Sequence, residues 1–96
     1  MEAKIGNRAD DSTVLVGKKP PISYVLACMT QFNSGKSEIK VKARGLSITT
    51  AVDVAQILKN KYLSEVKVKN VSIGTETVSR DNGKMNVSTI EITLSK

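Results

Sequence analysis

The sequence has no histidine, no tryptophan, a single cysteine and only nine acidic side chains among its 96 residues. Without histidine, and with the carboxylates scattered, it presents no imidazole acid–base pair and no zinc-ligand cluster, so the expectation is a protein that is not an enzyme and needs no metal or cofactor. The lone Cys28 excludes an internal disulfide and fits a reducing compartment. No apolar run approaches the roughly 18 residues of a membrane span, and no signal-peptide pattern opens the chain, which predicts a soluble cytoplasmic protein with no membrane partner. Aromatics number three, Tyr24, Phe32 and Tyr62, too few for a base-stacking platform of the kind used by single-strand RNA binders.

Against that scarcity stands an excess of positive charge. Fifteen Lys and Arg give a net charge of +6. Residues 1–12, which mix charges with small residues and only one branched aliphatic, Ile5, read as a flexible arm. The remaining 13–96, a single domain, keep 13 basic and 6 acidic residues, or +7. The cations concentrate between Val14 and Arg44. Val14-Leu15-Val16 reads as a buried strand because nothing in it alternates, and Gly17-Lys18-Lys19-Pro20 then leads into a helix opened by proline. Lys18 and Lys19 therefore sit at a strand-to-helix junction suited to phosphate. Ser37 to Arg44 alternates strictly, with Ile39, Val41 and Ala43 on one side and Glu38, Lys40, Lys42 and Arg44 on the other. An exposed strand kept from edge pairing by lysines would look the same; the nearby Lys18-Lys19 pair favours a binding face.

The first helix, Pro20 to about Asn33, carries Ile22, Val25, Leu26, Met29 and Phe32 on one apolar stripe, with Cys28 near its edge as a small buried hydrophobe and Tyr24 turned away from it, exposed, at an interface or beside the lysines. Ser34-Gly35 stops it. A second helix begins after Ser47 or Thr49 and runs to about Tyr62. Ile48, Ala51, Val52, Ala55, Leu58 and Tyr62 form its core stripe, and Val54 and Ile57 widen the apolar arc beyond what one small sheet requires. That surplus points to a second copy of the chain across a two-fold axis, or to extra cover by the first helix. The last third reads as a hairpin, Val66 to Leu94, turning at Arg80-Asp81-Asn82-Gly83-Lys84 on an Asn-Gly signal. Parity changes between Val68 and Val71 and between Val87 and Ile90 predict bulges or strands that twist sharply. Polar residues toward the turn predict a tip that projects beyond the core carrying Arg80 and Lys84. Asn33-Ser34-Gly35-Lys36-Ser37 ends like a phosphate-binding loop, but its first glycine would fall at Thr30 and the segment follows a helix instead of opening one.

Taken together, Val14-Leu15-Val16-Gly17-Lys18-Lys19-Pro20, Tyr24-Val25-Leu26, Ile39-Lys40-Val41-Lys42-Ala43-Arg44-Gly45 and Val87-Ser88-Thr89-Ile90-Glu91-Ile92 resemble the Alba family of small basic archaeal chromatin proteins, over about residues 13 to 95. The resemblance implies a two-layer α/β fold of order β-α-β-α-β-β, similar to the C-terminal domain of a bacterial translation initiation factor, assembled as a homodimer. It implies binding of double-stranded DNA and RNA with little sequence preference, and association with the nucleoid. It places Lys18 and Lys19 on the central body, Lys40, Lys42 and Arg44 on a basic second strand, and the 77–87 hairpin along the minor groove. Tyr62 takes the place of a phenylalanine that supports contacts between dimers. A paralogue as heterodimer partner also falls within the resemblance.

The site expected is thus Lys18, Lys19, Lys40, Lys42 and Arg44 on phosphates, with Tyr24, Arg80 and Lys84 contributing and Val54, Ile57 and Tyr62 at interfaces between copies. Exposure of the loop lysines makes Lys18 a candidate for acetylation, which would remove one charge. The alternative is an RNA-directed role, as a ribonucleoprotein subunit or RNA chaperone. A metabolic enzyme or a pure protein-interaction module would lack the affinity for nucleic acid.

Overall fold

The computed structural model describes residues 12–96. The elements are β1 (Thr13–Leu15), α1 (Pro21–Asn33), β2 (Glu38–Arg44), α2 (Ile48–Ile57), β3 (Lys67–Arg80) and β4 (Gly83–Ser95). This is the β-α-β-α-β-β order expected. The four strands form one sheet in the order β1-β2-β4-β3, with β1 parallel to β2 and the other pairs antiparallel. Both helices pack on one side, making two layers. The arm expected over residues 1–12 lies outside the described residues except for Ser12, whose carbonyl accepts a hydrogen bond from the Lys40 N–H at 2.8 Å.

β2 behaves as its alternation predicts: Ile39, Val41 and Ala43 are buried, and the charged residues face away from the helices. β1 does not. Val14 and Val16 are buried but Leu15 is 72% exposed, because β1 is an edge strand covered on its helix side alone. An unbroken apolar triplet was therefore read as buried on both faces when only one is covered.

α1 begins where two prolines fix φ and lack N–H groups that the first turn could not have paired. It ends where the Ser34 hydroxyl donates to the Gln31 carbonyl and Gly35 takes a φ of +105°. Its buried face is Tyr24, Val25, Cys28 and Phe32, whereas Ile22 and Leu26 are exposed. The stripe read from hydrophobicity was thus rotated: Tyr24 lies in the core, and Cys28 at its centre rather than its edge. Burial pushes the Cys28 thiol up to about 12, which leaves it uncharged and inert as a nucleophile.

In α2, Ala51, Val54 and Ala55 are buried, with Leu58 following them into the core. Val54 was expected on a flank free for another chain. It is fully buried within its own protomer, since α2 packs against α1 as well as against β2 and β4. Ile57 is partly buried on the same cluster. From Leu58 to Tyr62 the helix widens into a π-turn, closed by the Leu63 N–H on the Leu58 carbonyl at 2.8 Å. The added residue shifts the helical phase, so Tyr62, assigned to the core stripe by 3.6 periodicity, emerges half exposed.

The hairpin turns at Asp81–Asn82, with Arg80 opposite Gly83 and Gly83 at a φ of +117°. The turn residues are therefore one step earlier than an Asn-Gly centre would put them. The register shifts once, between Val68 and Asn70, as the first parity change predicts. At the second parity change there is no bulge, and pairing is continuous from Glu76↔Val87 to Ile73↔Ile90. Val87 changes side without one because it has left the helix-covered region and packs beside Gly45, where a Cβ would lie 3.4 Å from Val87 Cγ1.

Candidate nucleic-acid interface

The loop between β1 and α1 is built around one hydroxyl. Tyr24 Oη accepts hydrogen bonds from the Gly17 N–H at 2.9 Å and the Lys19 N–H at 3.0 Å. Its ring fills the core while its tip gathers two backbone amides, which is how an aromatic with a polar end can be buried. A Cβ at Gly17 would stand 3.4 Å from the hydroxyl, in ordinary contact, so the tether depends on the backbone amide and not on the missing side chain. Lys18 and Lys19 are exposed on the loop so tethered, and among the described residues neither makes an ion pair. Tyr24 thus stands beside the lysines as one reading of its helical phase allowed, but as their anchor from within and not as an exposed contact.

The parallel pairing of β1 with β2 fixes where those lysines lie. The Val16 N–H donates to the Lys42 carbonyl at 2.8 Å, so the chain leaves β1 at the end of the sheet where β2 finishes at Arg44. That same end launches the hairpin. Arg44 lies opposite Thr89, and beyond this row β3 and β4 continue alone for six residues each, about 20 Å at the usual strand rise, to Arg80 and Lys84. Lys18, Lys19 and Arg44 therefore share one end of the sheet, with Arg80 and Lys84 carried outward from it.

The cations of β2 are not free in the way those of the loop are. On the outer face of the sheet, Glu91 of β4 lies 3.7 Å from Lys40 and 3.5 Å from Lys42. Arg44 reaches over β4 to Glu76 of β3, above a floor of small residues where Gly74 pairs with Thr89. At the other end of β2, Lys69 sits 2.6 Å from Glu38 and holds its carboxyl below the usual range by hydrogen bonding and charge. Sequence reading assigned the lysines and missed their glutamates. The signal was present, since period-two alternation in Thr89-Ile90-Glu91-Ile92-Thr93 sends Glu91 to the outer face once Ile90 and Ile92 face the helices.

Comparison with known proteins follows the same outline. A family model described as Alba matches residues 12–75. The chain belongs to the Alba family. It is 51% identical over 88 residues to a protein named DNA/RNA-binding protein Alba from Methanothrix thermoacetophila, covering 92% of this chain and 99% of that one. It is 50% identical over 86 residues to DNA/RNA-binding protein Alba 1 of Archaeoglobus fulgidus, covering 90% and 97%. Among solved structures, Alba from Thermoplasma volcanium superimposes with a TM-score of 0.85 at 48% identity, over 88% of this chain and 99% of that one. ALBA1 from Trypanosoma brucei gives 0.74 at 26% identity, over 90% and 69%. The Alba fold is thus shared between archaeal and trypanosomal chains.

Proposed function

We propose that this Alba chain binds nucleic acid along its backbone, with duplex DNA as the principal ligand and RNA taken by the same surface, and that it coats or compacts the chromosome as an architectural protein of the nucleoid. The observation that carries this reading is the convergence of Lys18, Lys19 and Arg44 at one end of the sheet, from which a hairpin about 20 Å long projects with Arg80 and Lys84 at its tip. Such a surface offers charge and reach but no aromatic platform, which suits phosphate contacts more than base readout. The names of the relatives, DNA/RNA-binding proteins, support the same reading.

The working form is a homodimer, and a paralogue sharing the interface would form a heterodimer. Supporting this, Leu46 is 100% exposed and Ile73 82% exposed, beside half-exposed Val71, so part of the exposed apolar surface lies along β3 and at the entrance to α2. Tyr62, half exposed at the end of the second helix, is the candidate for contacts between dimers. Acetylation of Lys18 would remove one loop charge and weaken binding.

The test is a titration of duplex DNA, and of structured RNA of equal length, at several salt concentrations. If a dimer neutralises about six phosphates, log K falls against log salt with a slope of about −5, and replacing Lys18 and Lys19 with alanine flattens it. Binding indifferent to salt defeats the proposal. A strong preference for RNA at matched salt moves the function to a ribonucleoprotein.

A further inference from the structure

On the outer face of the sheet, Lys40, Lys42 and Arg44 are paired with carboxylates of β3 and β4 in fixed register, while the loop at its end carries two lysines with no ion-pair partner among the described residues. Lys42 and Glu91 are direct cross-strand neighbours, and Lys40 is on the same face one step along β2. The Glu91 carboxylate therefore lies between two ammonium groups, placed there by strand pairing and not by a chance meeting of flexible side chains. Glu76 holds Arg44 in the same way from β3, reached across the low floor at Gly74 and Thr89. A phosphate approaching any of the three cations also approaches a carboxylate within about an ion-pair distance, and the like-charge repulsion offsets much of the attraction.

We propose that Glu91 and Glu76 limit phosphate binding on the sheet face: each offsets one of the three charges on Lys40, Lys42 and Arg44, so the number of phosphates engaged is set by these two glutamates as much as by the lysines. The proposal rests on the nucleic-acid reading above and deepens it. It assigns the sheet cations, which a tally of positive charge counts as full ligands, to a reserve that two carboxylates partly withhold. Lys18 and Lys19 then supply most of the affinity of the body, and Glu91 is a specificity-determining residue that fixes where on the sheet a duplex can settle.

The experiment is a salt titration of duplex DNA with the full chain and four variants. Glu91→Gln removes one carboxylate without changing side-chain size. It should raise affinity on the order of tenfold at low salt and steepen the log–log slope by about 1, as the one charge that Glu91 offsets becomes available. Glu76→Gln should steepen it by about 1. Glu65→Gln is the charge-matched control: Glu65 pairs with Lys96, and Lys96 is bonded to Ser37 at the opposite end of β2 from Arg44. It should change affinity by no more than about twofold if the effect of Glu91 is local, because screening removes long-range charge effects beyond roughly 10 Å. The triple replacement Lys40→Ala, Lys42→Ala, Glu91→Gln, which removes the two lysines and their carboxylate together, should bind within a few-fold of the native chain and lack the gain of Glu91→Gln alone.

Equal gains from Glu91→Gln and Glu65→Gln overturn the proposal by reducing it to net charge. So does a triple variant that binds as far below the native chain as loss of two fully engaged lysines would bring it. A native chain that binds without salt dependence refutes the underlying nucleic-acid reading. Native salt-dependent binding with an unmoved Glu91→Gln slope refutes the glutamate proposal alone.

Discussion

The helix-facing side of the sheet is two surfaces with the same chemistry and opposite fates. Along β2 and β4, Ile39, Val41, Ile92 and Leu94 are buried beneath α1 and α2. One strand further, Val71 and Ile73 continue the same rows, directly opposite Ile92 and Ile90, and lie open. Ile90 is partly buried while its neighbour Ile73 is 82% exposed. Alternation in a strand therefore tells which residues share a face, and the span of the covering layer decides which of them leave water. Two helices of 13 and 10 residues cover three strands and leave the fourth bare.

The strongest way to break this comparison is to truncate one residue on each side. Leu58→Ala removes a fully buried side chain and should cost about 2–5 kcal/mol in chemical denaturation. Ile73→Ala, measured in dilute protein, should cost less than about 0.5 kcal/mol. Equal losses would mean that the open rows are covered within a single chain. A second test uses the only thiol. The folded pKa of Cys28 is raised above its unfolded value of about 8.5, so folding favours the protonated form. Its contribution is complete below about pH 8.5 and is lost at about 1.4 kcal/mol per pH unit as pH rises toward about 12. Thermal melts of Cys28→Ala should lack that alkaline fall. The smallest effect lies at the margin of the covered side. Tyr24→Phe keeps the ring and deletes the acceptor of two loop amides, at a cost of about 1 kcal/mol. Faster hydrogen exchange at Gly17 and Lys19 with an intact core would confirm that the hydroxyl orders the loop; unchanged exchange would give that role to the strand pairing instead.

Much of the architecture was legible in the sequence because local signals agreed. The two prolines, Ser34-Gly35, the strict alternation of β2 and the glycine after Asp81-Asn82 each fix a boundary by backbone geometry. What the sequence hid depends on neighbours. Hydrophobicity favours Ile22 and Leu26 over Tyr24 on α1, yet the hydroxyl of Tyr24 finds two amides of the loop just before the helix and the ring is drawn inward. Tyr62 fits a 3.6-residue stripe, but the π-turn shifts its phase. The lysines of the candidate site were visible by type and spacing. Their partners Glu76 and Glu91 come from 32 to 51 residues further along the chain, and only the strand order brings them together.

The strand order also sets a timetable. β4, synthesised after the other three strands of the sheet, is inserted between β2 and β3, and Leu94 is among its fully buried residues. A chain emerging from the ribosome can form α1 and α2 early, since their contacts are local, but β2 has no antiparallel neighbour until β4 arrives. The short parallel strand that leads into Lys18 and Lys19 pairs with β2 alone. The cationic end, built from a strand and loop translated well before β4, is therefore complete only after β4 has docked.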